Sequence, residues 1–282
     1  MGTALAVDIG GTKVAVGVVA EDGSVLHSAS EATPDQGLFD VVRRLADSVR
    51  TGDEVVCGVG CGGPMTAGGE LVSPLNIPQW RSFPLRSSLA SATGLPTFVD
   101  NDAKALARGE GWVGRAAGID DFIAMVVSTG VGGGIVLGGR LLDGALGNAG
   151  HIGHVIVESG PDARRCGCGA RGCLEAEASG LAIRAITGGP PASALPAVRE
   201  RTGTLVGRAV ASVANLLDLR LAVVAGSVAL GFGEPFFAAA QAELDRSCRL
   251  DFSVGAEIVA AGLGADGPLV GAAAVGFFAT DR

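Results

Sequence analysis

Four residues of one glycine-rich segment have the types and the spacing of a metal site. His154 precedes three cysteines, Cys166, Cys168 and Cys173. One imidazole and three thiolates form the ligand set of a closed tetrahedral zinc site, which leaves no position for water and is therefore structural. The glycines between the cysteines free the backbone to wrap an ion. The alternative is a set of reduced thiols in a glycine loop.

The other three cysteines suit a different role. Cys57, Cys61 and Cys248 lie outside the cluster, on apolar segments or on a helix. A reducing compartment disfavours disulfides, and free cysteine is among the most buried residue types. We therefore expect these three side chains to be small buried hydrophobes.

Two glycine loops have the composition of phosphate-binding turns. The first, AspIleGlyGlyThrLys at 8–13, places a carboxylate at a strand end and two glycines where backbone amides can approach an anion. The second, SerThrGlyValGlyGlyGly at 128–134, adds a hydroxyl pair and more amides, although it lacks the Gly-Lys-Ser/Thr of a Walker loop. Alone, the first loop is equally well an ordinary hairpin turn. Together, the two loops favour a site that grips the phosphates of a Mg-nucleotide.

Asp102 has the position of a general base. It follows Asn101, the expected N-cap of a helix, where the helix dipole favours an ionised carboxylate. A carboxylate at such a position could accept a proton from a reacting group, as a general base does. From the pattern alone, an acid at this position is more often a plain helix-start acid, and Asp100 competes with Asp102 for a functional role.

The elements that position these residues repeat. Strands are predicted at 4–9 and 14–20 around the first glycine loop, and at 122–128 and 134–137 around the second. Helices and strands alternate after each hairpin, with helices expected at 85–92, from 101, at 175–186 and at 196–217, and strands at 55–60, 97–100 and 221–225. The sequence therefore predicts two α/β lobes with mixed sheets. We expect a small lobe at 1–107, on which a C-terminal helix at 268–282 packs, and a large lobe at 108–267.

Composition excludes several classes of protein. The chain of 282 residues has 21 Lys and Arg against 29 Asp and Glu, a net charge of -8, which disfavours nucleic acid as a partner. The first residues lack a basic region before the apolar run, so we expect a cytoplasmic protein. The longest uncharged stretch, 122–139, contains six glycines and fits a hairpin better than a membrane span.

Seven segments in this order resemble the ROK family of repressors and kinases, over essentially the whole chain. They are DIGGTK at 8–13, LNIPQW at 75–80, VDNDAK at 99–104, STGVGGG at 128–134, GHIGH at 150–154, CGCGARGCLE at 166–175 and VVAGSV at 223–228. The resemblance implies the two-lobed actin-like ATPase (RNase H-like) fold with a zinc-binding loop. It also implies transfer of the γ-phosphoryl of ATP, with Mg²⁺, to the 6-hydroxyl of a hexose or N-acylhexosamine, and it makes Asp102 the catalytic base.

The resemblance assigns further residues to the two substrates. Those expected near the nucleotide are Asp8, Gly10, Gly11, Thr12, Lys13, Thr129, Gly130, Gly132 and, beside the adenosine, Gly226. Those expected to contact the sugar are Asn76, Asn101, Asp102, His151, His154 and Glu175. Without the resemblance, the sequence would indicate only a turn residue at Asn76 and an exposed first-turn acid at Glu175.

One position departs from the glucokinase-like members, in which a glutamate that binds ring hydroxyls lies three residues before the zinc histidine. His151 occupies it here, in a GHIGH segment more similar to that of bacterial N-acetylmannosamine kinases. An imidazole can donate as well as accept a hydrogen bond, so the group it faces differs, unless His151 is a spacer that points away. Glucose and N-acetylmannosamine both stay open.

The resemblance also allows a regulatory function and implies an oligomeric state. A sugar-sensing regulatory protein of the same family, lacking the DNA-binding domain, is the alternative to a kinase. Family members are commonly dimers, so a homodimer is expected.

Overall fold

The computed structural model describes residues 2–279, and the chain divides into two compact units. Unit 1 comprises the described parts of 1–118, 140–149 and 262–282, and unit 2 comprises 119–139 and 150–261. Relative to the expected lobes, residues 108–118, 140–149 and 262–267 lie in unit 1. The end of the expected C-terminal helix, 280–282, lies outside the described residues.

Both units are built from alternating strands and helices. The strands are β1 (Thr3–Ile9), β2 (Lys13–Ala20), β3 (Val25–Ala32), β4 (Glu54–Cys61), β5 (Thr97–Asn101), β6 (Phe122–Val127), β7 (Val131–Leu137), β8 (Arg140–Leu141), β9 (Leu221–Ala225) and β10 (Glu257–Ala260). The α-helices are α1 (Leu38–Val49), α2 (Leu85–Thr93), α3 (Asp102–Val113), α4 (Leu174–Ala178), α5 (Gly180–Thr187), α6 (Pro196–Leu217), α7 (Ser227–Phe232), α8 (Glu234–Ser247) and α9 (Gly267–Phe277).

The sheet of unit 1 has the order β3-β2-β1-β4-β5. β1 pairs antiparallel with β2 and parallel with β4, and β4 pairs parallel with β5. Alternate residues of β1 face opposite sides: Leu5 and Val7 pack in one core with α1 and α2, whereas Ala4 and Ala6 pack against α9. The small residues on the second side let α9 approach closely, since a Cβ atom at Gly58 would lie 1.9 Å from the carbonyl oxygen of Ala272.

The sheet of unit 2 has the order β10-β9-β6-β7-β8. β6 pairs antiparallel with β7 and parallel with β9, and β9 pairs parallel with β10. Its core continues into α6 and α8, where glycines one turn apart permit close packing: Cβ atoms at Gly203 and Gly207 would lie 2.2 Å and 2.3 Å from carbonyl oxygens of α8. Each unit is therefore a mixed sheet flanked by helices, as predicted.

The structure departs from the local predictions at several places. β3 was not predicted, because most of its residues are exposed and show no continuous apolar run. The helix expected at 175–186 is two helices, since Ser179 has extended backbone angles and caps α5. The strand expected at 134–137 begins at Val131. None of the helices within residues 2–279 is long and apolar enough to cross a membrane.

Candidate active site and metal centre

The candidate acids of unit 1 lie at the carboxyl ends of neighbouring strands. Asp8 on β1 is in register with Gly60 on β4, and Gly60 is in register with Asp100 on β5. A Cβ atom at Gly60 would lie 3.6 Å from Asp8 Oδ1 and 3.7 Å from the Cα atom of Asp102. The structure therefore brings Asp8 and Asp102 to the same end of the sheet, with a glycine between them.

The ionisation of Asp8 reflects this arrangement. Burial, and then the negative charge of Asp102, raise the pKa of Asp8 to about 7, against the opposing effect of Lys13. The negative charges of two neighbouring acids repel each other, and a cation bound between them would reduce that repulsion. Carboxylate oxygens are ligands that Mg²⁺ prefers. The donor set at this end of the sheet therefore fits a divalent cation.

Asp102 is exposed at the first residue of α3. Asn101 is the N-cap, and its side-chain oxygen accepts a hydrogen bond from the Ala103 N–H at 3.0 Å. Asp102 Oδ1 accepts from the same N–H at 2.8 Å. The helix N-terminus thus favours negative charge at an accessible carboxylate, which is the arrangement a general base requires.

Asp100 has a different environment from Asp102. It is buried, and its Oδ1 accepts from the Asn101 N–H at 2.9 Å and lies 3.1 Å from the ammonium of Lys104. These contacts give Asp100 a structural role at the end of β5. Sequence reasoning missed Lys104, for which the one signal was its position four residues after an acid, a spacing typical of helical ion pairs.

The first glycine turn lies against the predicted sugar residue Asn76. The Gly10 N–H donates to the carbonyl of Lys13 at 3.0 Å and closes the turn between β1 and β2. A Cβ atom at Gly11 would lie 2.6 Å from the Cβ atom of Asn76, so this approach requires glycine. Gly11, Thr12, Lys13 and Asn76 are all exposed. The structure therefore groups the predicted phosphate turn and Asn76 in unit 1.

The second glycine turn is shorter than predicted. The Ser128 N–H donates to the carbonyl of Gly130 at 2.9 Å, and β7 begins at Val131. Thr129 is exposed at the tip, whereas Gly132 lies within the strand. The turn between β6 and β7 is therefore limited to 128–130, and the Ser128 N–H is used within it.

Glu175 is attached to this second turn. Its Oε2 accepts from the Val131 N–H at 3.0 Å, across 44 residues of sequence. A Cβ atom at Gly130 would lie 2.8 Å from the same oxygen, so glycine leaves room for the carboxylate. A predicted sugar residue and a predicted phosphate turn are thus joined within unit 2.

Gly226 lies beside the same turn, at the end of β9. Its φ of 102° favours glycine, and a Cβ atom there would lie 2.3 Å from the carbonyl oxygen of Val127. The hydroxyls of Ser128 and Ser227 are 2.9 Å apart. The structure therefore brings the predicted adenosine residue Gly226 next to the turn that carries Thr129.

The four predicted metal ligands converge in unit 2. The ligand atoms of His154, Cys166, Cys168 and Cys173 all lie within 4.8 Å of one another. Cys166 Sγ is 3.7 Å from His154 Nδ1, and Cys168 Sγ is 3.7 Å from Cys173 Sγ. Zinc–sulfur bonds of about 2.3 Å in a regular tetrahedron give edges of about 3.8 Å, so the donor set fits Zn²⁺ in size as well as type. The three cysteines outside this cluster are buried, as expected.

A buried acid fastens the cysteine loop to the following helix. The Glu177 carboxylate accepts from the Arg164 N–H at 2.7 Å and pairs with the guanidiniums of Arg164 at 2.6 Å and Arg201 at 2.9 Å. Burial opposes its ionisation, but these hydrogen bonds outweigh burial and hold the pKa of Glu177 below its usual value. The loop thus has protein contacts in addition to the metal ligands.

His151 lies beside the metal cluster and is exposed. It precedes the short 3₁₀ turn Ile152–His154, and its ring centroid is 6.0 Å from that of His154, with an angle of 26° between the planes. The imidazole is therefore accessible to a ligand that also reaches His154.

Comparisons with known proteins show a family and named relatives. The model of the ROK family matches residues 4–276. The glucokinase of Thermotoga maritima is 43% identical over 187 residues, which are 64% of this chain and 58% of the relative. The N-acetylmannosamine kinase of Yersinia pestis is 37% identical over 255 residues, 83% of this chain and 86% of the relative. This chain thus spans less than two thirds of the length of the Thermotoga enzyme.

The solved structures include a match over nearly the full chain. A ROK family glucokinase from Streptomyces griseus, in complex with glucose and AMPPNP, superposes with a TM-score of 0.84 at 32% identity. The match covers 96% of this chain and 98% of the other. The expected fold class is confirmed.

Proposed function

The chain belongs to the ROK family, and on this basis we propose that it is an ATP-dependent sugar kinase. The reaction is transfer of the γ-phosphoryl of ATP to the 6-hydroxyl of a hexose or N-acylhexosamine. The observation that carries the proposal is Asp102, an exposed carboxylate at the start of α3 that shares a sheet end with Asp8. Similarity to kinases of glucose and of N-acetylmannosamine supports the same class of substrate.

In this proposal Asp102 is the general base. The sugar hydroxyl attacks the γ-phosphorus, a new oxygen–phosphorus bond forms, and the bond to the β-phosphate oxygen breaks to release ADP. The hydroxyl proton goes to the Asp102 carboxylate. Asn101 holds the helix start and, with Asn76 in the same unit, is proposed to orient the sugar.

The two glycine turns are proposed to hold the nucleotide. In unit 1 the amides of Gly11 and Thr12 and the side chain of Lys13 would face phosphate oxygens, while Gly10 would support the turn through its hydrogen bond to Lys13. Asp8 would hold Mg²⁺, which neutralises phosphate charge when bound. In unit 2 the proposed phosphate contacts are Thr129 and Gly130, with Gly226 against the adenosine. Gly132 is at most a support for this turn, since it lies within β7.

The metal centre is proposed to be structural zinc. His154 and the three cysteines would complete four-coordinate geometry, so that no position is left for substrate or water. The same segment carries His151, His154 and Glu175, which we propose to line the sugar pocket. Zinc would therefore shape the pocket without taking part in phosphoryl transfer.

The sugar is proposed to be glucose or N-acetylmannosamine. A screen of hexoses and acylated hexosamines with ATP and Mg²⁺, in which ADP release is measured, tests the proposal directly. Activity should appear on at least one sugar and fall to background in Asp102→Asn. Sugar binding by calorimetry without ADP release above that background would instead support the regulatory protein. Sedimentation of the same sample tests the homodimer that the family resemblance supports.

A further inference from the structure

Lys104 is a buried cation between two acids at the candidate active end of unit 1. Only 2% of the residue is exposed. Its Nζ lies 3.1 Å from Asp100 Oδ1 and 2.6 Å from Asp143 Oδ1, and it donates to the carbonyl of Gly147 at 3.3 Å. Lysine is almost never so buried unless its charge is paired, and the three ammonium hydrogens here have three acceptors.

The first contact of Lys104 fixes the start of α3. The oxygen of Asp100 that pairs with Lys104 also accepts from the N–H of Asn101 at 2.9 Å. Asn101 is the N-cap, so this carboxylate sets the point at which β5 turns into the helix. Asp102 is the next residue, and its position follows from that turn.

The other contacts of Lys104 fix the loop at 143–149. Asp143 and Gly147 both belong to this loop, which is closed by a hydrogen bond from the Ala149 N–H to the Asp143 carbonyl at 2.9 Å. A Cβ atom at Gly147 would lie 3.6 Å from the Cα atom of Ala67. The loop therefore approaches the segment 63–67 at its last residue.

The segment 63–67 leads back to the helix start. A Cβ atom at Gly63 would lie 3.6 Å from the side-chain nitrogen of Asn101. The N-cap, the segment 63–67, the loop 143–149 and Lys104 thus form a closed set of contacts around the first turn of α3.

We propose that Lys104 is a positioning residue for phosphoryl transfer, which holds Asp102 and the loop 143–149 in one fixed arrangement. This inference rests on the proposed sugar-kinase function. Buried ion pairs contribute little net stability compared with apolar residues of similar size, so stability alone does not account for one at this place. A displacement of about 1 Å in a catalytic group costs on the order of 10²-fold in rate, which makes a rigid support valuable.

The test removes the buried pair as a unit. Lys104→Met combined with Asp100→Asn removes both charges of the buried pair, and the side chain of Asp143 is 39% exposed. The matched control is Arg50→Met with Glu54→Gln, an ion pair of 3.3 Å with a buried glutamate that lies at the other end of β4. A second variant, Asp143→Asn, removes the charge of one of the two loop contacts of Lys104 and keeps the contact with Asp100.

The two readouts are amide hydrogen exchange without substrates and steady-state kinetics. In the Lys104/Asp100 variant we expect exchange at 101–106 and 143–149 to rise about tenfold or more, and kcat to fall about 10–100-fold. The control pair should change neither. Asp143→Asn should raise exchange at 143–149 and lower kcat/KM about 5–10-fold, with a melting temperature close to that of the wild type.

The inference is overturned if the folded Lys104/Asp100 variant matches the control pair in exchange at both segments and in kcat. Should that variant fail to fold, unchanged exchange and kcat/KM in Asp143→Asn overturn it. If the wild-type protein phosphorylates no sugar, the proposed function fails, and exchange alone then decides whether Lys104 holds the two segments.

Discussion

The two sheets share one topology but carry different chemistry at their carboxyl ends. In each, a hairpin with a glycine turn is followed by two further strands in parallel: β2-β1-β4-β5 in unit 1 and β7-β6-β9-β10 in unit 2. In unit 1 the strand ends carry the acids Asp8 and Asp102. In unit 2 the ends of β6 and β9 are followed instead by the hydroxyls of Ser128 and Ser227.

The repeated backbone provides a glycine turn in each unit, while the side chains around each turn determine its chemistry. Unit 1 has the negative charge that a metal ion and a proton transfer need. Unit 2 has the metal cluster and Glu175, which is bonded to its glycine turn. We therefore expect damage to unit 1 to remove chemistry and damage to unit 2 to remove binding.

The largest expected effect is on catalysis by unit 1. Asp102→Asn keeps the shape of the side chain but removes the proton acceptor, so kcat should fall by about 10²–10⁴, while sugar and ATP binding measured by calorimetry stay nearly unchanged. The matched control is Asp40→Asn, which changes another exposed first-turn acid, on α1. A saturated kcat above a third of the wild-type value would remove Asp102 as the base.

The next effect is on the metal centre of unit 2. Cys168→Ser removes one of four ligands, so zinc measured by atomic absorption should fall from about one per chain to a small fraction, and the melting temperature should fall by about 10 °C. Sugar affinity should fall with it, because the loop carries His154 and Glu175. Cys248→Ala, outside the cluster, should keep its zinc. Equal zinc in both variants would contradict the ligand assignment.

A smaller effect concerns the choice of sugar by unit 2. His151→Glu restores the acceptor of glucokinase-like members and should shift kcat/KM toward glucose relative to N-acetylmannosamine. The shift should be about tenfold to a few hundredfold, the scale of about 1–3 kcal/mol in a polar contact. Competition assays with both sugars measure it. An unchanged ratio would mean that residue 151 does not face the sugar.

Most of the fold could be predicted because its signals are local. Apolar runs and glycine turns marked both hairpins, and the bounds of α6 and β9 agree with the predicted ranges. β3 could not be found in this way, because an edge strand with mostly exposed residues owes its conformation to pairing with β2. The break at Ser179 is likewise set by a cap rather than by hydrophobic periodicity.

The metal ligands could be predicted from residue types and spacing alone, and the structure brings them together. The contact of Gly11 with Asn76 and that of Glu175 with Val131 join residues far apart in sequence, so no local pattern reveals them. The contact between Lys104 and Asp143 was missed for the same reason, because the two residues are 39 positions apart.

The smallest expected effect concerns the stability that the folded protein loses when Asp8 in unit 1 is ionised. The pKa of Asp8 is raised from 3.8 to about 7 in the folded protein, chiefly by burial and then by Asp102. As the pH rises between these values, the unfolded chain releases the proton and the folded chain keeps it. Ionisation therefore favours unfolding, and stability falls across this window and levels off above it.

Asp8→Asn should remove this pH dependence, because the amide is neutral in both states. Near pH 4 its melting temperature should equal that of the wild type, and at pH 8 it should be a few degrees higher. The difference should increase steadily from pH 4 to pH 8, as measured by scanning calorimetry without nucleotide. The same variant should use Mg-ATP poorly, with a defect partly relieved by added Mg²⁺, since the lost carboxylate is the proposed metal ligand. Asp102→Asn should not respond to Mg²⁺ in this way. A variant at residue 8 that is less stable than the wild type at pH 8 would mean that the Asp8 carboxylate supports the fold. The acids at the end of unit 1 would then not reflect a charge kept for catalysis.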